Sequence, residues 1–111
     1  MPVSAGFLDA LADILHFVPG YRTRRMFGGA GVYSHDLMFA LVLDDALYLK
    51  ADDATAAEFE ERGLEPFIYR DRNGREAPMS YRQAPEEVLE DPDAAREWVG
   101  RALAAAQRKK A

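Results

Sequence analysis

The sequence predicts an α+β domain in which helices cover an antiparallel sheet, in the order helix, three strands, helix, two strands, helices. Segments near both ends of the chain carry apolar residues at helical spacing, which is typical of amphipathic helices. Between them lie short apolar runs joined by turn sequences, Asp44-Asp45 and Asn73-Gly74. Strands joined by short turns pair antiparallel, and the helices must bury their apolar stripes against the resulting sheet.

The first predicted element is a helix over residues 4–18. Ser4 is a suitable N-cap. Pro19-Gly20 ends the helix, because proline disfavours the helical conformation of the residue before it. Its apolar face consists of Phe7, Leu8, Leu11, Ile14, Leu15 and Val18.

Three strands are predicted next, over residues 25–34, 37–43 and 46–50. The middle strand is a continuous apolar run, which is typical of a strand buried on both faces. Helices of this chain can cover one of those faces, and a second subunit can cover the other. We therefore predict a homodimer.

A second helix is predicted to begin near Asp52, which is a good N-cap, and to end at Arg62-Gly63-Leu64 with glycine in the left-handed position. Two strands follow, over residues 67–69 and 77–81. Pro78 has no N–H to donate to a ladder, so the last strand is predicted to lie at a sheet edge or to start after this residue.

The chain is predicted to end in helices. Pro85 opens a short one, and Asp91 caps the final one with proline directly after it. Cations at residues 108–110 suit the negative end of the final helix dipole. The apolar face of this helix consists of Ala95, Trp98, Val99, Ala102, Leu103 and Ala106.

Composition narrows the class of protein. A chain of 111 residues with 49% hydrophobic and 30% charged residues is expected to form a single domain over 1–111, with its core at about 5–107. The formal net charge of −5 argues against autonomous, non-specific DNA binding. There is no cysteine, no apolar run of membrane-spanning length and no signal-like N-terminus, so we expect a cytoplasmic protein without a membrane partner.

Catalytic and metal-binding patterns are missing from the sequence. The chain has two histidines, His16 and His35, and no local signature joins either of them to a serine. Isolated histidines also lack the spacing of a metal site, and the acidic residues lie on predicted exposed helix faces. We therefore predict a protein that is not an enzyme, with no catalytic residue, metal or cofactor; a hydrolase is the weakest alternative.

The most unusual stretch of the sequence is residues 24–33, which holds most of the candidate binding residues. Its three glycines suggest a phosphate-binding loop, but the Lys-Ser/Thr of a P-loop is missing and strand residues follow. A bend in a sheet is the favoured role for these glycines. The arginines suit carboxylates or phosphates, although a solvated strand is the favoured interpretation. The candidate anion- or partner-binding residues are Arg22, Arg24, Arg25, Gly28, Gly29 and Gly31.

Several short motifs recur along the chain in a characteristic order. They are residues 25–33, 38–42, 47–52, Phe59, Gly63, 66–67, 79–81, 85–87 and Trp98. Together they resemble the TfoX N-terminal domain of the TfoX/Sxy family of bacterial competence regulators. The resemblance covers roughly residues 5–107 and departs from the family pattern at Arg82, where an aromatic residue is expected.

The resemblance implies an α+β fold and a role linked to transcription, since longer members resemble co-activators that act with the cyclic AMP receptor protein at competence promoters. This chain is expected to be a stand-alone domain. The leading hypothesis is a non-enzymatic interaction or regulatory domain with a protein partner, such as a transcription factor. The alternative is a small-anion or nucleotide-binding module that uses Arg22, Arg24 and Arg25 beside the glycine bend.

Overall fold

The computed structural model of the chain describes residues 4–26, 28–70 and 72–110. Its helices and strands confirm the predicted α+β class. In chain order the elements are α1 (Ala5–Ile14), β1 (Tyr21–Met26), β2 (Gly29–Ser34), β3 (Leu37–Leu43), β4 (Ala46–Lys50), α2 (Ala56–Glu61), β5 (Pro66–Arg70), β6 (Glu76–Gln83), a short 3₁₀ helix (Glu86–Leu89) and α3 (Pro92–Lys110).

The described strands form one six-stranded antiparallel sheet with the order β1-β2-β3-β4-β6-β5. The predicted strands over 37–43 and 46–50 are confirmed. Asp44 and Asp45 both have positive φ, 50° and 56°, as a two-residue hairpin turn between β3 and β4 requires.

The prediction of one strand over residues 25–34 is wrong. The chain forms a hairpin there, with Met26 of β1 opposite Gly29 of β2. Gly28 lies in the turn at φ +77°, a conformation that disfavours any residue with a Cβ. Four strands therefore precede α2, and the arginines 22, 24 and 25 lie in β1.

Pro78 lies in β6, which is an inner strand of the sheet. The missing N–H of Pro78 breaks no hydrogen bond to β4, because β4 pairs only with residues 81–83 of β6. At Pro78 the strand pairs with β5 alone, opposite Ile68. The expectation of an edge position holds locally, although β6 as a whole is not an edge strand.

Two helices are shorter than predicted. Ser4 caps α1 through its hydroxyl, which accepts from the Phe7 N–H at 3.1 Å, but α1 ends at Ile14 and a turn leads to Val18. Asp52 caps a turn instead of α2: its carboxylate accepts from the N–H groups of Ala54 and Thr55, and α2 begins only at Ala56. The predicted start near Asp52 is therefore wrong by one turn.

The core lies between the sheet and the helices. α3 packs on β3 and β4, and α1 packs at β1. Side chains of Val32, Val42, Leu47 and Leu49 reach this core from the sheet. The buried helical residues that meet them are Leu11, Leu15, Ala95, Trp98, Val99, Ala102 and Ala106.

Candidate apolar groove and basic cluster

An apolar groove lies on the sheet, and its lining includes side chains that alternate with those of the core. Leu41 and Leu43 of β3 point away from the core that Val42 enters, as alternation along a strand requires. The groove has a volume of about 460 Å³. Its lining consists of Met26, Ala30, Met38, Leu41, Val42, Leu43, Phe67, Met79 and Arg70.

Gly31 makes the methionine packing in this groove possible. It lies opposite Leu41 of β3 and Arg24 of β1. A Cβ at Gly31 would lie 2.8 Å from the Met38 sulfur and 2.9 Å from the Met26 methyl carbon. The missing side chain thus leaves room for two flexible thioethers over β2, and methionine is the residue that best adapts its shape to different partners.

Arginines lie beside the groove. Arg24 is two residues before Met26 on β1, so both side chains point to the same face of the sheet. Arg24 is exposed, and no described residue forms an ion pair with it. Arg70 lines the groove and donates through Nε to Glu76 at 3.1 Å. Glu76 offsets the charge of Arg70, so Arg24 supplies the positive charge beside the groove. An apolar surface that carries an acidic residue near Arg24 can bind there.

The structure does not bring the three candidate arginines into one cluster. Arg22 donates to the His35 carbonyl oxygen at 3.1 Å, and its guanidinium lies 4.7 Å from the Tyr33 ring centre. Arg25 points to the sheet face opposite Arg24, since neighbouring strand residues alternate. Of the candidate glycines, Gly28 lies in a turn, whereas Gly29 and Gly31 lie in β2.

A second cluster forms where β4 ends. Lys50 is 8% exposed as a whole residue, and its ammonium donates to the Ser80 hydroxyl of β6. The same ammonium lies 5.0 Å from the ring centre of Tyr81. Burial raises the pKa of Tyr81 to about 12, with a further contribution from Tyr33. At neutral pH Lys50 therefore faces a neutral phenol ring and a neutral hydroxyl.

Asp52 lies next to this cluster and is held by other groups. Arg108 of α3 donates to both carboxylate oxygens, with Nε 2.6 Å from Oδ2 and the terminal nitrogen 3.0 Å from Oδ1. The hydrogen bond from Arg108 is the main reason that the pKa of Asp52 lies below its usual value. This bidentate pair ties the end of α3 to the loop after β4.

Sequence reasoning missed both the groove and the lysine cluster. The groove is lined by residues of β1, β2, β3, β5 and β6, so no local pattern reveals it. The sequence contains one indication of the cluster: the cation Lys50 directly follows the apolar strand residues Leu47-Tyr48-Leu49. Its partner Ser80 is 30 residues away, and only the β4–β6 pairing brings the two together.

The fold and groove define a class of small α+β domain: an antiparallel sheet backed by helices, with an apolar groove formed partly by residues that point away from the core. None of the helices in the described ranges is long and apolar enough to cross a membrane. Within those ranges no three acidic or histidine side chains are placed to hold a metal ion.

The chain belongs to the TfoX N-terminal domain family, whose model matches residues 13–106. The chain is also similar to the DNA transformation protein TfoX1 of Aliivibrio fischeri, with 45% identity over 47 residues. This match covers 42% of the chain and 22% of the relative, so it spans less than a quarter of that relative's length.

Proposed function

We propose that this protein is a non-enzymatic, cytoplasmic interaction domain that regulates DNA uptake by binding a protein partner in its apolar groove. Family membership and the name of the Aliivibrio fischeri relative support the link to DNA transformation. The observation that carries the proposal is the groove itself, because soluble domains seldom leave several methionine and leucine side chains around an open depression unless they bind something there.

The proposed occupant is an amphipathic helix of the partner, with leucine-type residues on one face and acidic residues at its margin. Helices commonly bind apolar grooves through residues spaced three and four apart. The positive charge of Arg24 favours acidic flanks, on a chain whose net charge is −5, whereas the charge of Arg70 is offset by its ion pair with Glu76. In a two-fold dimer the same patch lies on both subunits, so each groove would face a second copy that carries the same Arg24. Self-association is therefore the less favourable occupant. A transcription regulator is the partner class that family membership favours.

The proposal is tested by an aspartate placed in the groove. Met79 lines the groove and is 39% exposed, whereas Ile68 on the neighbouring strand is 44% exposed and outside the lining. We expect Met79→Asp to weaken partner binding by about 1.4 kcal/mol or more, a tenfold loss of affinity. The same change in the chromosomal gene should lower the transformation frequency of the host.

Ile68→Asp is the matched control, because it adds the same charge at a similarly exposed apolar position. It is expected to leave the transformation frequency near that of the parent strain. Thermal melting of both purified variants checks that their stabilities are alike. Equal transformation frequencies in the parent, Met79→Asp and Ile68→Asp strains would rule out the groove as the functional surface.

A further inference from the structure

Lys50 is 8% exposed as a whole residue, and its ammonium lies at an open pocket. Among the described residues, the ammonium donates to the Ser80 hydroxyl and lies over the ring of Tyr81. Within the described ranges no carboxylate forms an ion pair with it. Charges with reduced access to water are normally paired, because losing part of their hydration is costly. Lys50 therefore has unused capacity to bind an anion.

The nearest acid cannot readily supply that anion. The two oxygens of Asp52 accept from Arg108 on one side and from the N–H groups of Ala54 and Thr55 on the other. Moving the carboxylate toward Lys50 would break a bidentate arginine pair and uncap the turn before α2. Asp52 offsets the charge of Lys50 only from a distance.

An open pocket gives access to Lys50. Its volume is about 300 Å³, which is ample for a small oxyanion and its water. Lys109, near the end of α3, lies at this pocket and repels Lys50. The lining consists of Lys50, Ala51, Asp52, Asp53, Ser80, Ala105, Arg108 and Lys109.

We propose that this pocket binds a small phosphate-type oxyanion, either free phosphate or the phosphate group of a nucleotide. The ammonium of Lys50 and the hydroxyl of Ser80 would donate to the anion, and Lys109 would neutralise its outer side. The site is independent of the groove and lies outside the Arg22, Arg24 and Arg25 region. It uses residues from two segments, 47–52 and 79–81, that carry the family resemblance.

The ionisation of Lys50 supports this assignment. Burial lowers its pKa, Lys109 lowers it further, and Asp52 raises it. Because the lysine is a weaker base in the folded protein than in the unfolded chain, its charge destabilises the fold at neutral pH, and this effect fades as the pH rises toward the usual lysine pKa. A bound anion would offset the same unfavourable charge.

Asp53 limits the affinity of the site. It is exposed, it lines the same pocket, and its negative charge repels an incoming anion. Removing this charge should therefore strengthen binding, whereas removing the charge of Lys50 should weaken it. Opposite responses at two neighbouring positions are a pattern that a general loss of structure cannot produce.

The test is a titration of the full chain with inorganic phosphate at constant ionic strength, followed through the backbone amide signals of residues 50–53 and 80. Lys50→Met should weaken binding by about tenfold or more, and Asp53→Asn should tighten it about twofold to threefold. Arg24→Met is the control: it removes the same charge as Lys50→Met, outside the pocket, and should change the affinity little. Lys50→Met should fold, because methionine fills the space of the lysine stem without a buried charge.

A parallel titration with a nucleoside monophosphate separates the two sources of the phosphate group. Tighter binding than that of inorganic phosphate assigns the site to a nucleotide, and equal binding assigns it to phosphate alone. The proposal is overturned if neither anion shifts these amide signals, or if Lys50→Met and Arg24→Met weaken binding equally. Both outcomes leave the groove proposal untouched.

Discussion

Replacing Gly29 with alanine is expected to destabilise the domain by about 3 kcal/mol or more, the upper range for an overpacked interior. A Cβ at this position would lie well inside contact distance of the Val42 carbonyl oxygen and 2.7 Å from the Leu43 Cδ2. The side chain of Leu43 can move, but the carbonyl belongs to the β3 backbone. Relief therefore requires β2 and β3 to separate next to the Ala30–Val42 pair.

Urea unfolding of the Gly29→Ala variant measures this cost, and Gly100→Ala is its matched control. Gly100 lies exposed within α3, and a Cβ there meets nothing within 4 Å. Alanine is a better helix former than glycine, so the control should gain about 0.5–1 kcal/mol of stability. A Gly29→Ala variant as stable as the parent would refute the close approach of β2 and β3.

Removing the ring of Phe59 is expected to cost about 3–5 kcal/mol of unfolding free energy. Phe59 is 0% exposed and meets Trp98 edge to face, with ring centres 5.2 Å apart. This contact fixes α2 to α3. Phe59→Ala would leave a cavity between the two helices and would also remove the favourable aromatic pairing.

Phe7→Ala provides the comparison for this loss, because Phe7 packs against the same core from α1 but is only partly buried. We expect a cost of about 1–2 kcal/mol there, since less apolar area leaves water on folding. Chemical denaturation of both variants gives the two values. If the two substitutions cost the same, Phe59 is not the core residue that the structure indicates.

Arg82, where the family resemblance predicts an aromatic residue, makes polar contacts in the structure. Arg82 lies opposite Leu49 in the sheet, and its guanidinium donates to the Leu64 carbonyl oxygen and to Glu60, each at 3.2 Å. These contacts tie the end of α2 to β6 through polar bonds. An aromatic residue at this position would have to make that connection by apolar packing instead.

The elements with strong local signals could be predicted from the sequence. Turn residues at Asp44-Asp45 and Asn73-Gly74 located the β3–β4 and β5–β6 hairpins, and apolar spacing located α3. The glycine hairpin was missed because its first strand, Tyr21–Met26, is rich in arginine and lacks an apolar pattern. Its strand structure depends on pairing with β2, which local propensity does not report.

The sites were harder to predict, because each is assembled across strands. Sequence reasoning selected Arg22, Arg24 and Arg25 as one cluster because they are close along the chain, yet strand alternation separates Arg24 from Arg25. It placed the glycines in a role of shaping the sheet, and Gly29 and Gly31 do lie where neighbouring atoms leave no room for a Cβ. Gly31 also makes space for two methionines, and this role can be recognised only from the register of β2 with β1 and β3.

Binding of an amphipathic helix with acidic flanks in the groove can be observed by methyl NMR. The protein carries ¹³C-labelled methionine methyl groups and is titrated with a designed leucine-faced helical peptide flanked by glutamate. The signals of Met26, Met38 and Met79 should shift, and a lysine-flanked version of the peptide should shift them far less. If neither peptide shifts the methionine signals, the groove does not bind such a helix. If the signals already shift with protein concentration alone, the groove binds a second copy of the chain instead.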